Sequence, residues 1–249
     1  MTLLNVNENY LLELKLHGVR SGLSQRLKEA ESEKLSYHDF LGLCLFDEIE
    51  NRRNTKVQRL IRSAAFRSNA SPEGVDFSAP RGLDKKQVSD LLSTRFIDES
   101  KNVLIFGPTG VGKSYLATAF GFSACRHRKS TLFFRMNTLI ERLSIVRASA
   151  TYLNFLKKLS AVDLLILDDF GIKPLLPAQY QDLYDILDER FENRSTIVTT
   201  QLPEENWSEV IDDPVTCEAI TRRLIEKATR LQMKGEPYAK KKEKKLDSN

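Results

Sequence analysis

The chain has 249 residues, 41% hydrophobic and 29% charged, with a formal net charge of +4. That is enough apolar material for one core of about 150 to 180 residues plus a smaller attachment, without disulfides. Cys44, Cys125 and Cys217 stand far apart with no C-x-x-C spacing, which excludes a zinc site or bridge framework and reads as reduced side chains. No uncharged run approaches about 18 residues and no apolar signal segment opens the chain, so a soluble cytoplasmic protein with no membrane partner is expected.

Residues 1–67 carry helical periodicity, through Leu11, Leu12, Leu14, Leu16, Leu23 and Leu27, then through Phe40, Leu41, Leu43, Leu45 and Ile49. They predict a small all-helical domain that binds DNA or a partner. Arg52, Arg53, Lys56, Arg59, Arg62 and Arg67 fall where no acid stands between Asn51 and Ala70. On a helix, Arg52, Lys56, Arg59 and Arg67 share a sector of roughly 80°, opposite Val57, Leu60, Ile61 and Ala64. A charge run is usually a solvated face, but such faces mix signs to gain i,i+4 pairs. The missing acids point instead to duplex DNA phosphates. Turn-rich Ser68-Asn69-Ala70-Ser71-Pro72-Glu73-Gly74 and Ser78-Ala79-Pro80-Arg81-Gly82 mark 68–82 as a linker. A helix is expected near 84–92, opening a main domain over 83–235.

Asn102-Val103-Leu104-Ile105-Phe106 suits a buried strand. It runs into Gly107-Pro108-Thr109-Gly110-Val111-Gly112-Lys113-Ser114, a complete G-x-x-x-x-G-K-[ST] followed by Tyr115 and a helical pattern. Glycines let successive N–H groups turn inward around phosphates, and the helix presents its positive end to them. Lys113 reaches the β/γ-phosphates of ATP and Ser114 holds Mg²⁺. After a strand at 131–134 and a helix, Val162-Asp163-Leu164-Leu165-Ile166-Leu167-Asp168-Asp169 reads as a central parallel strand ending in two carboxylates. Asp168 is expected to orient Mg²⁺ and Asp169 to polarise the attacking water, capping of the next turn being the plain alternative.

Ser195-Thr196-Ile197-Val198-Thr199-Thr200-Gln201 is another buried-type strand, whose Thr200, or else Thr199, would bond the attacking water or the γ-phosphate. Threonine is also a good strand former in its own right. Ala219-Ile220-Thr221-Arg222-Arg223-Leu224 puts two guanidiniums on an amphipathic helix, where Arg223, ahead of Arg222, can reach a neighbouring subunit's γ-phosphate. Such pairs also occur on solvated faces. The βα alternation demands a parallel sheet covered on both faces. Residues 236–249 form a basic, disordered-looking tail with Lys240, Lys241, Lys242, Lys244 and Lys245, able to add non-specific DNA attraction.

This ordered set resembles an AAA+ P-loop ATPase, and more narrowly the IstB-like transposition helpers and their relatives, the DnaC-type helicase loaders. Asp168-Asp169-Phe170-Gly171, Trp207 after the Thr200 strand, and Leu12-Glu13-Leu14-Lys15-Leu16-His17-Gly18 sharpen the resemblance. Gly235-Glu236-Pro237-Tyr238 resembles the family's closing stretch, with Ala239 where it has Arg, and no helical lid bearing a second sensing Arg is evident. The resemblance implies an α/β ATPase with a short lid that forms a homo-oligomer around ATP, binds duplex DNA and serves a transposase. A helicase loader is the alternative. A small-molecule P-loop kinase is more distant, since neither an acceptor pocket nor an Arg-bearing lid is evident.

Overall fold

The structure is a computed structural model that describes residues 3–78 and 81–236. Tyr238, Ala239 and the tail lysines lie outside the described residues. Two compact units meet at the Arg59–Leu60 bond. The first holds α1 (Leu3–Glu13), α2 (His17–Glu33) and most of α3 (Tyr37–Ala64). Its buried apolar side chains, among those described, are Val19 and Cys44. The leucine periodicity therefore marks helices without marking a core: Leu14, Leu41, Leu45 and Ile49 are all exposed.

The basic stripe needs two corrections. α3 stops at Ala64 and Ala65 takes a left-handed backbone, so Arg67 leaves the helix and the stripe. Acids one turn earlier also reach into it, since Glu48 pairs with Arg52 and Glu50 with Arg53.

The second unit continues through α4 (Lys85–Leu92), α5 (Arg95–Asp98), β1 (Val103–Phe106), α6 (Lys113–Arg126), β2 (Thr131–Arg135), α7 (Met136–Arg147), α8 (Tyr152–Ala161), β3 (Leu164–Phe170), α9 (Pro177–Arg190), β4 (Ser195–Thr200), α10 (Pro214–Ile225) and β5 (Thr229–Gln232). The strands pair in parallel in the order β2-β3-β4-β1-β5. Strand β5 was not among the sequence expectations, because Thr229-Arg230-Leu231-Gln232 has one buried residue and three polar ones. The helix expected between 134 and 162 is two helices.

Strand alternation sorts the core into two layers. Val103, Ile105, Leu164, Ile166 and Ile197 join the cluster containing α4 and α6. Leu104, Leu165, Leu167 and Val198 join the cluster containing α7, α8, α9 and α10. Helix α6 approaches closely because Gly121 carries no Cβ, which would otherwise meet Phe66 at 2.6 Å and Ile166 at 2.9 Å. Phe66 stacks on Phe122 at 4.9 Å, tying the chain after α3 to this layer. Arg190 is a buried guanidinium bonded to Thr196 and to the carbonyls of Leu159, Ser160, Val162 and Ser195. Burial pulls its pKa down to about 9, with the Arg194 charge adding to the shift and Asp163 opposing it. Among the described residues no helix is long and apolar enough to cross a membrane.

Candidate nucleotide site

The loop that leaves β1 is shaped by three glycines in positive φ, Gly107 at 152°, Gly110 at 80° and Gly112 at 102°. A Cβ on Gly107 would stand 2.5 Å from the Met233 carbonyl oxygen, so the close passage beside the end of β5 requires glycine there as well. Val111 is fully buried and anchors the loop, while Pro108, Thr109 and Gly110 face solvent or its edge. Lys113 opens α6 and folds back, its Nζ donating to the carbonyls of Gly107 at 2.8 Å and Pro108 at 2.9 Å. Burial lowers its pKa, and the carboxylates of Asp169 and Asp168 oppose that shift. Tyr115 packs on the α6-side cluster with its hydroxyl against Gly74.

Alternation along β3 places Asp168 on the same face as Leu164 and Ile166, the face covered by α6. Asp168 is 1% exposed, its carboxylate accepts from the Thr199 hydroxyl at 2.6 Å, and the Ser114 hydroxyl stands near enough to act on it. Burial raises its pKa, and those two hydroxyls offset part of the shift. Ser114 and Asp168 therefore stand together as hard oxygen donors, a set suited to Mg²⁺.

Asp169 departs from strand geometry. The β3–β4 register shifts between Leu167 and Phe170, and Asp169 sits at φ 62°. This bulge inserts one residue, and it moves Phe170 to the opposite layer, where its ring meets Trp207 edge-on at 4.8 Å. Two adjacent acids can thus serve one site instead of opposite faces. The backbone N–H of Asp169 donates to Thr199 Oγ1, and its carboxylate lies 3.6 Å from Arg135 at the end of β2.

The same alternation sends the two threonines of β4 to opposite layers. Thr199 shares the layer of Ile197 and holds Asp168. Thr200 shares the layer of Val198, and its hydroxyl donates to the Phe170 carbonyl at 2.8 Å and accepts from the Leu202 N–H. The expected Thr200 hydroxyl is thus turned from the loop. Gln201 reaches it instead, its Oε1 accepting from Thr109 at 2.7 Å. The sequence reading missed Arg135 and Gln201, because their relevance depends on which strands are neighbours.

Arg223 does not join the loop of its own chain. Its backbone carbonyl, with that of Leu224, accepts from Asn102, the residue preceding β1, while the loop follows the far end of that strand. The guanidinium is held by Asp188, with Nε at 2.8 Å, and by the Tyr184 hydroxyl and ring. Arg222 is more open, with its side chain 74% exposed and paired to Glu226.

A family model described as IstB-like ATP binding protein matches residues 9–246. The chain belongs to the IstB-like family. An insertion sequence ATP-binding protein of Sinorhizobium fredii, y4pL, is 40% identical over 221 residues, covering 89% of this chain and 90% of that one. Among solved structures, the crystal structure of DnaI superimposes with a TM-score of 0.57 at 21% identity, covering 71% of this chain and 93% of that one. The DnaC helicase loader gives 0.52 at 23%, covering 66% and 97%. This member of the IstB-like family thus has the AAA+ P-loop fold, a parallel sheet flanked by helices with a helical segment before it, and it is an ATP-binding protein of the insertion-sequence type.

Proposed function

We propose that the chain hydrolyses ATP, assembles as a homo-oligomer on duplex DNA and supports target selection by a transposase. The observation that carries the catalytic part is the convergence of Ser114, Asp168 and Thr199 on the α6 face beside Lys113 and a glycine-shaped loop. The backbone N–H groups of 107–115 cradle the phosphates, and Lys113 exchanges its two loop carbonyls for phosphate oxygens. Ser114 and Asp168 would hold Mg²⁺, which would supply charge neutralisation of the phosphates. Asp169 orients and polarises the attacking water. We assign the hydroxyl that steadies this arrangement to Thr199, and Gln201 to sensing the loop, rather than Thr200.

Arg223 lies beyond the opposite end of β1, away from its own chain's loop, and we assign it to a neighbouring subunit's γ-phosphate in an oligomer. Arg52, Lys56 and Arg59 are assigned to DNA phosphates, with Arg53 and Arg62 to their sides and Arg67 off the helix. The transposase partner rests on the family and on the insertion-sequence names of its relatives. The DnaI and DnaC likenesses, below 25% identity, speak for fold and do not favour a loader.

The test is nucleotide affinity, steady-state hydrolysis and duplex binding for Lys113→Ala and Asp169→Asn. Lys113→Ala should weaken ATP binding at least tenfold, the scale of a charge-assisted contact. Asp169→Asn should bind ATP normally and turn over poorly, and ATP should tighten duplex binding of the wild type. Full turnover in Asp169→Asn would move the water-polarising role elsewhere.

A further inference from the structure

The opening stretch Leu12-Glu13-Leu14-Lys15-Leu16-His17-Gly18 carries part of the family resemblance and has no role in the nucleotide site. In the structure it is the turn from α1 to α2. Lys15 takes a left-handed backbone at φ 56° and His17 begins α2. Gly18 presses this turn onto α3: a Cβ there would collide with the Asp47 carbonyl and stand 2.6 Å from Glu48 Cα.

Glu48 fixes the junction. It is 5% exposed. Its Oε2 accepts from the backbone N–H groups of Gly18 at 2.7 Å and Val19 at 3.3 Å, and its Oε1 accepts from Arg52 Nε at 2.6 Å. The carboxylate is therefore compensated by the helix N-terminus and by a guanidinium.

Beside Glu48, the junction presents basic side chains together with the neutral Asn51 and Thr55. Lys15 and His17 from the turn, with Arg52, Lys56 and Arg59 from α3, line a cavity of about 240 Å³. Among the described residues, neither Lys15, Lys56 nor Arg59 is paired with a carboxylate. The cavity is below the roughly 300 to 1,000 Å³ of sites that enclose a small organic ligand. A shallow recess of this size, lined by these basic side chains, has room for one tetrahedral oxyanion.

We propose that this cavity seats a single backbone phosphate of the bound nucleic acid, gripped between Lys15 and His17 on the turn and the Arg52, Lys56 and Arg59 stripe. The inference rests on the assignment of that stripe to DNA. It adds two ligands from outside the stripe and gives the opening motif a purpose. Gly18 sets the spacing and Glu48 orients Arg52, while Lys15 and His17 meet the phosphate.

The experiment is equilibrium binding of the full chain to random duplexes across a salt series. Lys15→Gln should weaken binding several-fold and make the log-log salt dependence shallower by about 0.9, one phosphate's worth of counterion release. Lys28→Gln, exposed on α2 and not lining the cavity, should change neither by more than a fraction of that. Gly18→Ala, which keeps every charge and displaces the turn, should weaken binding while circular dichroism shows the helices retained. If the triple change Arg52→Gln, Lys56→Gln, Arg59→Gln lowers affinity and slope while Lys15→Gln leaves both intact, the cavity inference fails and the stripe stands. If the triple variant also binds as wild type, the stripe fails first. Inorganic phosphate at constant ionic strength should not displace the duplex. Displacement that Lys15→Gln abolishes would make the cavity a free-phosphate site and overturn the assignment to nucleic acid.

Discussion

In the second unit every residue of β1 and β4 is buried, and two apolar clusters close over opposite faces of the sheet. In the first unit, among the described residues, the buried apolar side chains are Val19 and Cys44, and α2 is held to α3 by Arg26 on Asp47 and by Glu48 on the start of α2. The difference separates two ways of placing functional groups. Strand alternation inside a dense core puts Asp168 and Thr199 with little freedom on the face that α6, carrying Ser114, covers. A thin polar-clipped module places its cations through a few hydrogen bonds and a glycine contact, and leaves apolar side chains such as Tyr37, Leu41 and Leu45 on its surface.

Stability separates the two units most strongly. Trp207 is fully buried, supports Phe170 behind the Asp168–Asp169 bulge and donates to the Leu202 carbonyl. Trp207→Ala should cost about 3 to 5 kcal/mol in denaturant unfolding. Leu45→Ala, at a half-exposed position of α3, should stay within about 0.5 kcal/mol. A comparable loss from Leu45→Ala would mean that the first unit has a core after all.

The next effect separates the two threonines. Thr199→Val removes a bond to a buried carboxylate, a loss of about 1.5 to 3 kcal/mol. It should raise the Mg²⁺ concentration needed for half-maximal hydrolysis by tenfold or more. Thr200→Val removes neutral bonds in the other layer and should lower the melting temperature by a few degrees with the Mg²⁺ requirement unchanged. Mg²⁺ titrations and thermal melts on both variants decide it, and the reverse pattern would return the role to Thr200.

A smaller change concerns Arg223. Its partner Asp188 is about half exposed, so the pair contributes no more than about 1 kcal/mol. If that contact competes with reaching a neighbour, Asp188→Asn should let hydrolysis set in at a few-fold lower protein concentration. An onset moved to higher concentration would make Asp188 a support that aims Arg223 rather than a competitor.

Most of the second unit was legible in the sequence because its signals are local. The glycine spacing fixes the loop, apolar runs of β-branched and leucine residues fix β1, β3 and β4, and Asp84 and Gly112 stand where α4 and α6 begin. What was not legible depends on neighbours far along the chain. The bulge at Asp169 is a β3–β4 register event, and it decides the side on which Phe170 lies. That Thr199 and not Thr200 bonds Asp168 follows from which layer α6 covers. Arg135 comes near Asp169, and Gln201 near Thr109, because β2 flanks β3 and β4 flanks β1. In the first unit the leucine pattern gave the helices, yet the exposed Leu41, Leu45 and Ile49 show that periodicity alone does not say what a face packs against. The stripe lost Arg67 because a single left-handed residue, Ala65, ends the helix.

The claim on which the account turns is that one chain's loop is completed by another chain's Arg223. The direct measurement is ATP hydrolysis by Lys113→Ala and Arg223→Ala, each alone and mixed in equal amounts, across a range of total protein. Each variant alone should be nearly inactive, Arg223→Ala with ATP binding intact. The mixture should recover a fraction of wild-type activity that rises with concentration, because some interfaces then pair an intact loop with an intact arginine. A mixture as inactive as its components, together with wild-type hydrolysis that does not change on dilution, would contradict it.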